Sequence, residues 1–562
     1  MRARLAVHSH RSWCRTEWAW AVLLAVGIAC SPGGAPAQPA IPPPAPLQPA
    51  PGGVYRLGIQ TQLGSLDVAA EAGAHHLAVA GLVQSGLMKW EKRAILDHTS
   101  VACDLCESWR QASETSYEFK LRPGIRWHDT PPLNGREFVA ADYKYTIERI
   151  LNRGFKDSQA FDRNAEKVAA IKRIDAPDGQ TLQIALREPQ ASLLFNLGDP
   201  FLQAVAREQV ASEPDGILRQ ALAGTGPFLL KSSGQSESHT LVRNPGYFQE
   251  GLPYFDGVEV QVIPDRAIRF NAFRAGEIHD PGPLMMGENK EIIDREHPDL
   301  VMTQVPGHAT AAFIFNHARQ PFDDARVRRA MYLAFDRQAL IDTNRAGQAQ
   351  LVRWVATPAK GAFATPEEDL KRMPGFRHPK HEDIAEAKDL LVAAGLPQGF
   401  ETSMTVAKGG VQRANAEVFA EQMSQSLGIQ IRLRAMDAPR HREAVQVGNF
   451  GLSADLLGIS IDPGRALASL SSRHVENNSR YKSPVFDELF DRQARTLDPQ
   501  ERRRLLFQLY EILDRDVPII PSYADYTYRG FPRQCHGIPE EPRYNALVRY
   551  LAEAWCEPGV IE

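Results

Sequence analysis

The stretch Gly224-Thr225-Gly226 has the glycine spacing with which a phosphate-binding loop begins. A dinucleotide-binding loop also requires a third glycine and a following helix, and a P-loop requires Gly-Lys-Ser/Thr. Here Pro227 follows, and the apolar residues 228–230 indicate a strand that pairs with residues 239–244. The glycines are therefore expected to form a tight turn that leads into a strand pair.

Metal-ligating and nucleophilic patterns are sparse. His75 and His76 are adjacent, but Pro379 lies between His378 and His381 and argues against a helix that would aim both at one ion. The sequence contains neither G-x-S-x-G nor H-E-x-x-H. We expect no metal, no cofactor and no catalytic residue, so an enzyme is not predicted.

The cysteines favour disulfides over a metal site. Cys103-x-x-Cys106 is followed by neither a second CxxC nor a histidine pair at zinc spacing. An exported protein reaches an oxidising compartment, where thiols pair. We predict one local disulfide, Cys103–Cys106, and one that closes the C-terminal segment, Cys535–Cys556.

The N-terminus predicts that export. Residues 1–29 combine several arginines with the apolar run 18–29, as in a signal peptide. Cys30 follows directly, and "VGIAC" is similar to the lipobox of bacterial lipoproteins, which makes Cys30 a candidate lipidation site; cleavage after Ala37 is the alternative. Residues 30–53 form a Pro/Ala-rich linker that suits a spacer. The predicted location is periplasmic, either free or as a membrane-anchored lipoprotein.

Length, composition and net charge narrow the range of possible functions. The chain has 562 residues, 43% hydrophobic and 23% charged, with a formal net charge of -4. That length allows more than one domain. Because the sequence has no basic surplus, a nucleic-acid partner is not expected. Helical and strand patterns alternate after residue 54, which indicates an α/β fold.

Local signals place several elements. Residues 117–121 and 125–127 read as two strands about a Pro-Gly turn, followed by a helix capped at Asn134. Asp323 or Asp324 caps a helix within 321–341. The clearest helix is 498–515, where Asp498 is the cap, Pro499 takes the first helical position and leucines follow at helical spacing.

The segment "SYEFKLRPGIRWHDTPPLNGREFVAADYKYTIERI", residues 116–150, resembles the signature of bacterial extracellular solute-binding protein family 5. This family comprises the peptide- and nickel-type receptors of ABC importers. Further segments, among them "LVRNPGYF" and "FNAFRAGEIHD", resemble the family in the same order. The resemblance extends over residues 54–535.

The resemblance implies a two-lobed, Venus-flytrap α/β fold of the periplasmic-binding-protein type, with an extra subdomain inserted in lobe one. Lobe one would comprise 54–308, with the insertion at about 86–205, and the return segment 525–562. Lobe two would comprise 309–524. The hinge strands would lie near 308–310 and 522–523. A monomer is expected.

The implied function is that of a non-enzymatic receptor, which captures a peptide-like or other small organic solute between the lobes and delivers it to an ABC permease. The alternative is an exported scaffold or chaperone-like protein that kept the fold and lost transport. An exported hydrolase would need a nucleophile and base that the sequence does not offer.

Peptide-binding relatives carry a Trp-x-x-Asp segment before a proline, and this aspartate binds the free amine of the peptide. With Pro463 as the anchor, Leu456 stands at the tryptophan position and Ile459 at the aspartate position. An ammonium facing isoleucine would be unpaired. This alignment favours an amine-blocked peptide or a different organic solute; a shifted alignment would assign the amine-binding role to Asp455.

The other ligand-binding candidates come from the same resemblance. His279, Asp280, His308, Ser460 and Tyr523 match segments that line the cleft, and each has an alternative role in a loop or core. Asp462 precedes the proline and is often structural in relatives. Arg465, Lys408 and Arg413 are candidates for binding a carboxylate, with solvated surface charges as the alternative.

Overall fold

The computed structural model describes residues 48–70, 76–91, 100–151, 162–219, 222–233, 238–282, 287–354, 363–458, 462–538 and 546–562. Helices and strands alternate along these ranges, as expected for an α/β protein. The predicted signal peptide and Cys30 lie outside the described residues, as does His75.

The strands, in chain order, are β1 (Val54–Ile59), β2 (Met88–Trp90), β3 (Val101–Cys103), β4 (Cys106–Ser113), β5 (Ser116–Leu121), β6 (Ile171–Asp175), β7 (Thr181–Leu186), β8 (Phe228–Ser233), β9 (Ser238–Arg243), β10 (Gly257–Val262), β11 (Leu300–Phe315), β12 (Ala349–Leu351), β13 (Glu401–Ala407), β14 (Gln430–Met436), β15 (Leu452–Gly458), β16 (Ile519–Pro532), β17 (Cys535–His536) and β18 (Trp555–Cys556).

The α-helices are α1 (Leu77–Val83), α2 (Ala140–Ile150), α3 (Asp162–Val168), α4 (Leu193–Leu197), α5 (Arg207–Ser212), α6 (Arg266–Arg274), α7 (Gly287–Glu296), α8 (Ala325–Ala334), α9 (Arg337–Arg345), α10 (Glu367–Leu370), α11 (His381–Ala393), α12 (Gly410–Leu427), α13 (Ala438–Gln446), α14 (Pro463–Ala468), α15 (Pro484–Arg495) and α16 (Pro499–Asp516). A 3-10 helix spans Ala546–Ala552.

The N-terminal sheet has the strand order β1-β10-β9-β8. β8 and β9 are antiparallel, which confirms the predicted strand pair. Gly224 and Gly226 precede β8 and lie directly against the backbone of Val83. A Cβ on Gly224 would come within 2.0 Å of the Val83 carbonyl oxygen, and one on Gly226 within 2.6 Å of the same atom. Glycine is thus required by close backbone approach, and the turn serves the scaffold.

The insert sheet has the order β4-β5-β7-β6 and its own buried core, which includes Trp127 and Tyr143. Two local predictions were wrong here. The predicted second strand at 125–127 is reduced to an isolated bridge between Arg126 and Glu137. The following helix begins at Ala140 and not near Asn134, whose φ of 46° places it in a turn.

The helix begins later because Asp142 caps it. The Asp142 carboxylate accepts a hydrogen bond from the backbone N–H of Val139 at 3.0 Å and from Arg136 Nη2 at 2.8 Å. The face expected to be buried is buried, since Tyr143, Ile147 and Ile150 are at most 1% exposed.

The large sheet has the order β12-β16-β11-β15-β13-β14. Its two long strands, β11 and β16, pair antiparallel from Leu300↔Pro532 to Ile314↔Ile519, with a register shift between Pro306 and Thr310. The predicted hinge segments 308–310 and 522–523 lie on these two strands, beside that shift. Helices α8, α9, α11 and α12 contribute to the core of this sheet.

Two helix predictions near the large sheet are confirmed. Asp324 caps α8, and its Oδ1 accepts a hydrogen bond from the backbone N–H of Arg326 at 2.8 Å. Asp498 caps α16 in the same way, accepting from Glu501 N at 2.7 Å. The leucines of α16 are buried, and they anchor this helix in a second core of the large sheet.

Disulfides join Cys103 to Cys106 and Cys535 to Cys556, the pairs that the sequence suggests. In the described part of the chain, no helix has the length and apolar character needed to cross a membrane. The same residues contain no cluster of three or more His, Cys, Asp or Glu side chains suited to a metal ion.

Candidate functional site

A cleft of about 1100 Å³ separates residues of the insert from residues of the large sheet. The insert wall consists of Trp90 and parts of 164–201. The opposite wall consists of parts of 407–479, and Ile314 and Ile519 from the two long strands also line the cavity. Both walls expose polar and charged side chains, and the insert wall adds the aromatic rings of Trp90, Phe195 and Phe201, a mixture that is typical of a site for an organic ligand.

Aromatic stacking fixes one part of the insert wall. Trp90 ends β2, and its ring lies 4.8 Å from that of Phe195 on α4. The Trp90 Nε1–H donates to the Phe195 carbonyl at 2.8 Å, and the Tyr550 hydroxyl donates to the Trp90 carbonyl. The C-terminal 3-10 helix therefore holds this side of the cleft in place.

A buried cation forms the next part of the insert wall. Lys167 on α3 lies 2.6 Å from Asp199 Oδ2, with its ammonium 4.9 Å from the ring centroid of Phe201. Its side chain is 4% exposed. Burial and the positive charge of Arg465 lower the pKa of Lys167 to about 8, although Asp199 acts in the opposite direction.

Asp455 is the central acidic residue of the opposite wall. It lies on β15, directly opposite Ala312 of β11, and its Oδ1 accepts a hydrogen bond from Leu456 N at 2.9 Å. Burial raises the pKa of the Asp455 carboxyl, while His441 and Arg442 on α13 oppose that shift. Within the described ranges no ion pair involves Asp455, so a ligand cation would meet a half-buried carboxylate without a salt-bridge partner here.

Asp462 and Arg465 lie on the same wall but differ in whether their charges are paired within the protein. Asp462 is buried, caps α14 and accepts from Arg502 Nη2 at 2.9 Å on both oxygens. Both of its carboxylate oxygens are therefore already paired with Arg502. Arg465 is exposed to the cleft, and no ion pair of this side chain occurs among the described residues.

Two candidates from the sequence lie elsewhere, in the scaffold around β1. His279 Nδ1 accepts from the backbone N–H of Arg56 at 3.0 Å, and burial followed by the Arg56 charge lowers the pKa of His279 to about 4. Asp280 is fully buried and accepts from Arg529 Nε at 2.7 Å. Neither residue belongs to the described lining of the cleft.

The remaining candidates are distributed between surface, core and undescribed parts. Lys408 pairs with Asp437 and Arg413 with Glu417, each at an exposed position. Tyr523 is buried and bonds to Asn415. Ile459, Ser460 and the side chain of His308 lie outside the described residues. Of the described candidates, Leu456, Asp462 and Arg465 line the cleft.

Comparison with known proteins gives the affiliation of the chain. Residues 100–478 match the family model "Bacterial extracellular solute-binding proteins, family 5 Middle". The chain belongs to this family. The members of this family are binding proteins rather than enzymes.

Individual relatives are similar over most of their length. The dipeptide-binding protein of Pseudomonas aeruginosa PAO1 is 26% identical over 470 residues, 78% of this chain and 84% of the relative. The probable deoxycholate-binding periplasmic protein of Escherichia coli K12 is 27% identical over 445 residues, 75% of this chain and 79% of the relative.

Solved structures confirm the predicted two-lobed α/β fold. A periplasmic binding protein from Helicobacter pylori, in complex with the peptide STSA, superposes with a TM-score of 0.70 at 23% identity. The alignment covers 90% of this chain and 99% of that one. An agropinic acid complex from A. tumefaciens gives 0.69 at 20% identity, covering 90% and 99%.

Sequence reasoning did not single out Lys167, Asp199 and Arg442 as residues of the cleft. All three are charged residues in polar segments, which is the usual pattern of a solvated surface. Only the fold places residues 167 and 199 opposite 442. Nothing in the sequence near Lys167 indicates this placement.

Proposed function

We propose that this solute-binding protein is the extracytoplasmic receptor of an ABC importer. It captures a peptide-like organic solute in the cleft and delivers it to the permease without altering it chemically. The location is periplasmic, with Cys30 as a candidate lipid anchor and residues 30–53 as the spacer. A nucleic-acid partner has no place in this function.

The observation that carries the proposal is the cleft of about 1100 Å³ between the insert and the large sheet, in a chain of this family. A scaffold that had lost transport would be expected to fill the cleft with its own side chains. The open volume and the incompletely paired charges of Asp455 and Arg465 favour a receptor.

Closure about two strands would trap the solute. We assign lobe one to 54–308 and 525–562, and lobe two to 309–524, so that β11 and β16 connect the lobes. Hinges are short segments that absorb backbone changes, and the register shift after Pro306 marks such a segment. A ligand must prefer the closed form by roughly 5 kcal/mol to invert a mostly open population.

Asp455 is the proposed acceptor for a ligand amine. The sequence left two alignments open, and the position of the Asp455 carboxylate in the cleft supports the one that assigns this role to Asp455. A ligand ammonium would restore the interactions that burial removes from this carboxylate, as a charge-assisted hydrogen bond.

The test begins with native purification, denaturation and mass spectrometry of the released small molecule. We expect an organic solute that carries an amine. Titration calorimetry of this solute with ligand-stripped protein should give an affinity at least tenfold weaker for Asp455→Asn than for the wild type, the loss of one charge-assisted bond. Asp369→Asn is the control, because that carboxylate is 61% exposed and paired with Arg372.

Two results would contradict the proposal at different levels. Equal affinity of wild type and Asp455→Asn would remove the amine-binding role but leave the receptor. A protein that releases no solute, and that no solute from a bacterial extract stabilises against heat, would contradict the receptor function itself.

A further inference from the structure

A second cavity, of about 810 Å³, is a groove on the large sheet. It extends from Arg319 and residues 449–451 across the start of β13 to β14. The described linings of this groove and of the cleft have no residue in common. A partner bound in the groove would therefore leave the cleft free for its solute.

Three arginines give the groove a positive charge. Arg319, Arg432 and Arg434 line it, and all three are exposed. Within the described ranges none of them forms an ion pair, and Glu401 is the one acidic residue of the described lining. A guanidinium binds a carboxylate through two parallel hydrogen bonds, so the excess charge suits an acidic partner.

The spacing of two of these arginines suits an extended partner. Arg432 and Arg434 are exposed on one face of β14, while Ile431 and Leu433 on its other face pack against the core of the large sheet. Alternate residues of a strand are about 7 Å apart. An extended peptide beside β14 has the same repeat, so carboxylates at every second residue would match the two arginines.

The backbone of β14 offers the second half of a binding site. β14 is the last strand of the large sheet, with no strand beside its outer edge in the described part of the chain. Gln430 N donates to the Phe400 carbonyl at 2.9 Å, and the Met436 carbonyl accepts from Lys408 N at 2.7 Å. The N–H and C=O groups of residues 431, 433 and 435 therefore point away from β13, where a further strand could pair with them.

From these observations we infer that the groove binds an acidic, extended segment of a partner protein. The segment adds as a strand to the edge of β14 and places the carboxylates of alternate residues on Arg432 and Arg434. An anionic lipid surface would meet the arginines but would leave the backbone donors and acceptors of β14 unpaired. This surface lies apart from the cleft, so the inference goes beyond the solute-binding function.

Charged side chains on an edge strand also hinder pairing between copies of one chain. On β14 all the charges are positive, which excludes a basic strand but favours an acidic one. The arginines would thus select the partner as well as bind it.

The experiment uses the full mature chain and a synthetic seven-residue peptide, the length of β14, in which glutamate alternates with threonine and both ends are blocked. Fluorescence anisotropy should give a Kd below about 1 mM for wild type. Binding should be at least tenfold weaker to the double variant Arg432→Glu with Arg434→Glu. The matched control, Arg295→Glu with Arg372→Glu, makes the same change of charge at side chains that are 69% and 77% exposed, and should bind as wild type does.

Two further measurements separate strand addition from other kinds of binding. The same peptide with every backbone nitrogen methylated keeps its carboxylates but has no N–H to pair, and should bind at least tenfold more weakly. An excess of the solute released from the native protein should not displace the peptide. Unchanged affinity of the double variant for that solute shows that the variant is folded.

The inference would be overturned if the alternating peptide did not bind, which would leave the arginines as protection of the edge only. Equal binding to wild type and the double variant, equal binding of the methylated peptide, or displacement by the solute would also overturn it. Co-sedimentation with phosphatidylglycerol vesicles that is lost in the double variant, without peptide binding, would assign the arginines to a membrane surface instead. None of these results bears on the receptor function of the cleft.

Discussion

His128 contacts the turn at residues 224–226, and this contact is called the junction below. The junction and the cleft both contain titratable side chains, but only the junction bonds all their polar atoms within the protein. At the junction, Gly224 N donates to His128 Nδ1 at 3.2 Å, and Nε2 lies 3.0 Å from the Gly226 carbonyl. Because Nδ1 accepts, the proton lies on Nε2, and both ring nitrogens are satisfied. In the cleft, Asp455 and Arg465 face open volume instead.

This difference separates scaffold from binding site more clearly than residue type does. His128, His279 and Asp280 are the kinds of residues that bind ligands, yet their polar groups are already bonded within the protein. A ligand gains affinity from groups that the protein leaves incompletely paired. Substitutions at the junction should therefore affect stability, and substitutions in the cleft should affect affinity.

The largest effect is expected for Asp280→Ala. This change leaves the buried guanidinium of Arg529 without its carboxylate, and unfolding should become easier by about 3–5 kcal/mol. Urea denaturation measures the change, with Asp369→Ala at an exposed ion pair as the control. If Asp280→Ala instead kept wild-type stability but lost affinity for the solute, Asp280 would be a ligand-binding residue.

The second-largest effect on stability is expected for Gly224→Ala. The added Cβ would meet the Val83 carbonyl oxygen at 2.0 Å, so the backbone has to move, at a cost of about 3 kcal/mol. The matched change is Gly458→Ala, where a Cβ has no neighbour within 4 Å and stability should stay near that of the wild type. Similar unfolding midpoints for the two variants would contradict the close packing at this turn.

Acid should weaken the junction. Burial lowers the pKa of His128 from 6.5 to about 4, so the unfolded chain binds the proton first and stability is lost as the pH falls from about 6.5 towards 4. At pH 5 this group alone accounts for roughly 2 kcal/mol. The difference in unfolding free energy between pH 7 and pH 5 should be smaller in His128→Gln than in wild type.

His381 provides the control for this pH dependence because it is an exposed residue at the start of α11. His381→Gln should retain the wild-type pH profile. A His128→Gln variant with the full wild-type acid sensitivity would show that other groups, such as the buried His279 and the half-buried His317, dominate it.

The smallest effect is expected at a contact between the insert and α15. Arg495 Nε lies 2.6 Å from Glu188 Oε2, and both side chains are about half exposed. Removal of this pair by Arg495→Ala should change solute affinity by no more than about 1 kcal/mol. The exchanged pair, Glu188→Arg with Arg495→Glu, should restore the wild-type dissociation constant; a tenfold loss in Arg495→Ala would assign the contact a larger part in closure.

The sequence predicted elements well where the signal was local. The cap and first turn of α16 and the β8–β9 pair follow from neighbouring residues. The false strand at 125–127 has the right alternation, but its residues turn back towards Glu137 and never join a sheet. Asn134 is a residue type that often caps helices, but its left-handed backbone places it in a turn. The start of the helix is capped instead by the Asp142 side chain, which accepts from the Val139 N–H.

The site was harder to predict than the fold because its walls come from distant parts of the chain. The motif at 455–466 led to Leu456, Asp462 and Arg465, all of which line the cleft. Nothing near Lys167 indicates that it lies opposite Arg465, since that neighbourhood exists only once the insert packs. Lys408 and Arg413 lie outside that motif and were candidates only as cations that could meet a carboxylate; both lie on the surface.

Hydrogen–deuterium exchange with and without the released solute tests the central claim most directly, because it reports on both regions in one experiment. The account predicts slower exchange on both walls of the cleft, at 164–201 and 438–479, and unchanged exchange at 128 and 224–226. Protection confined to one wall, or to the junction around His128, would contradict binding between the walls.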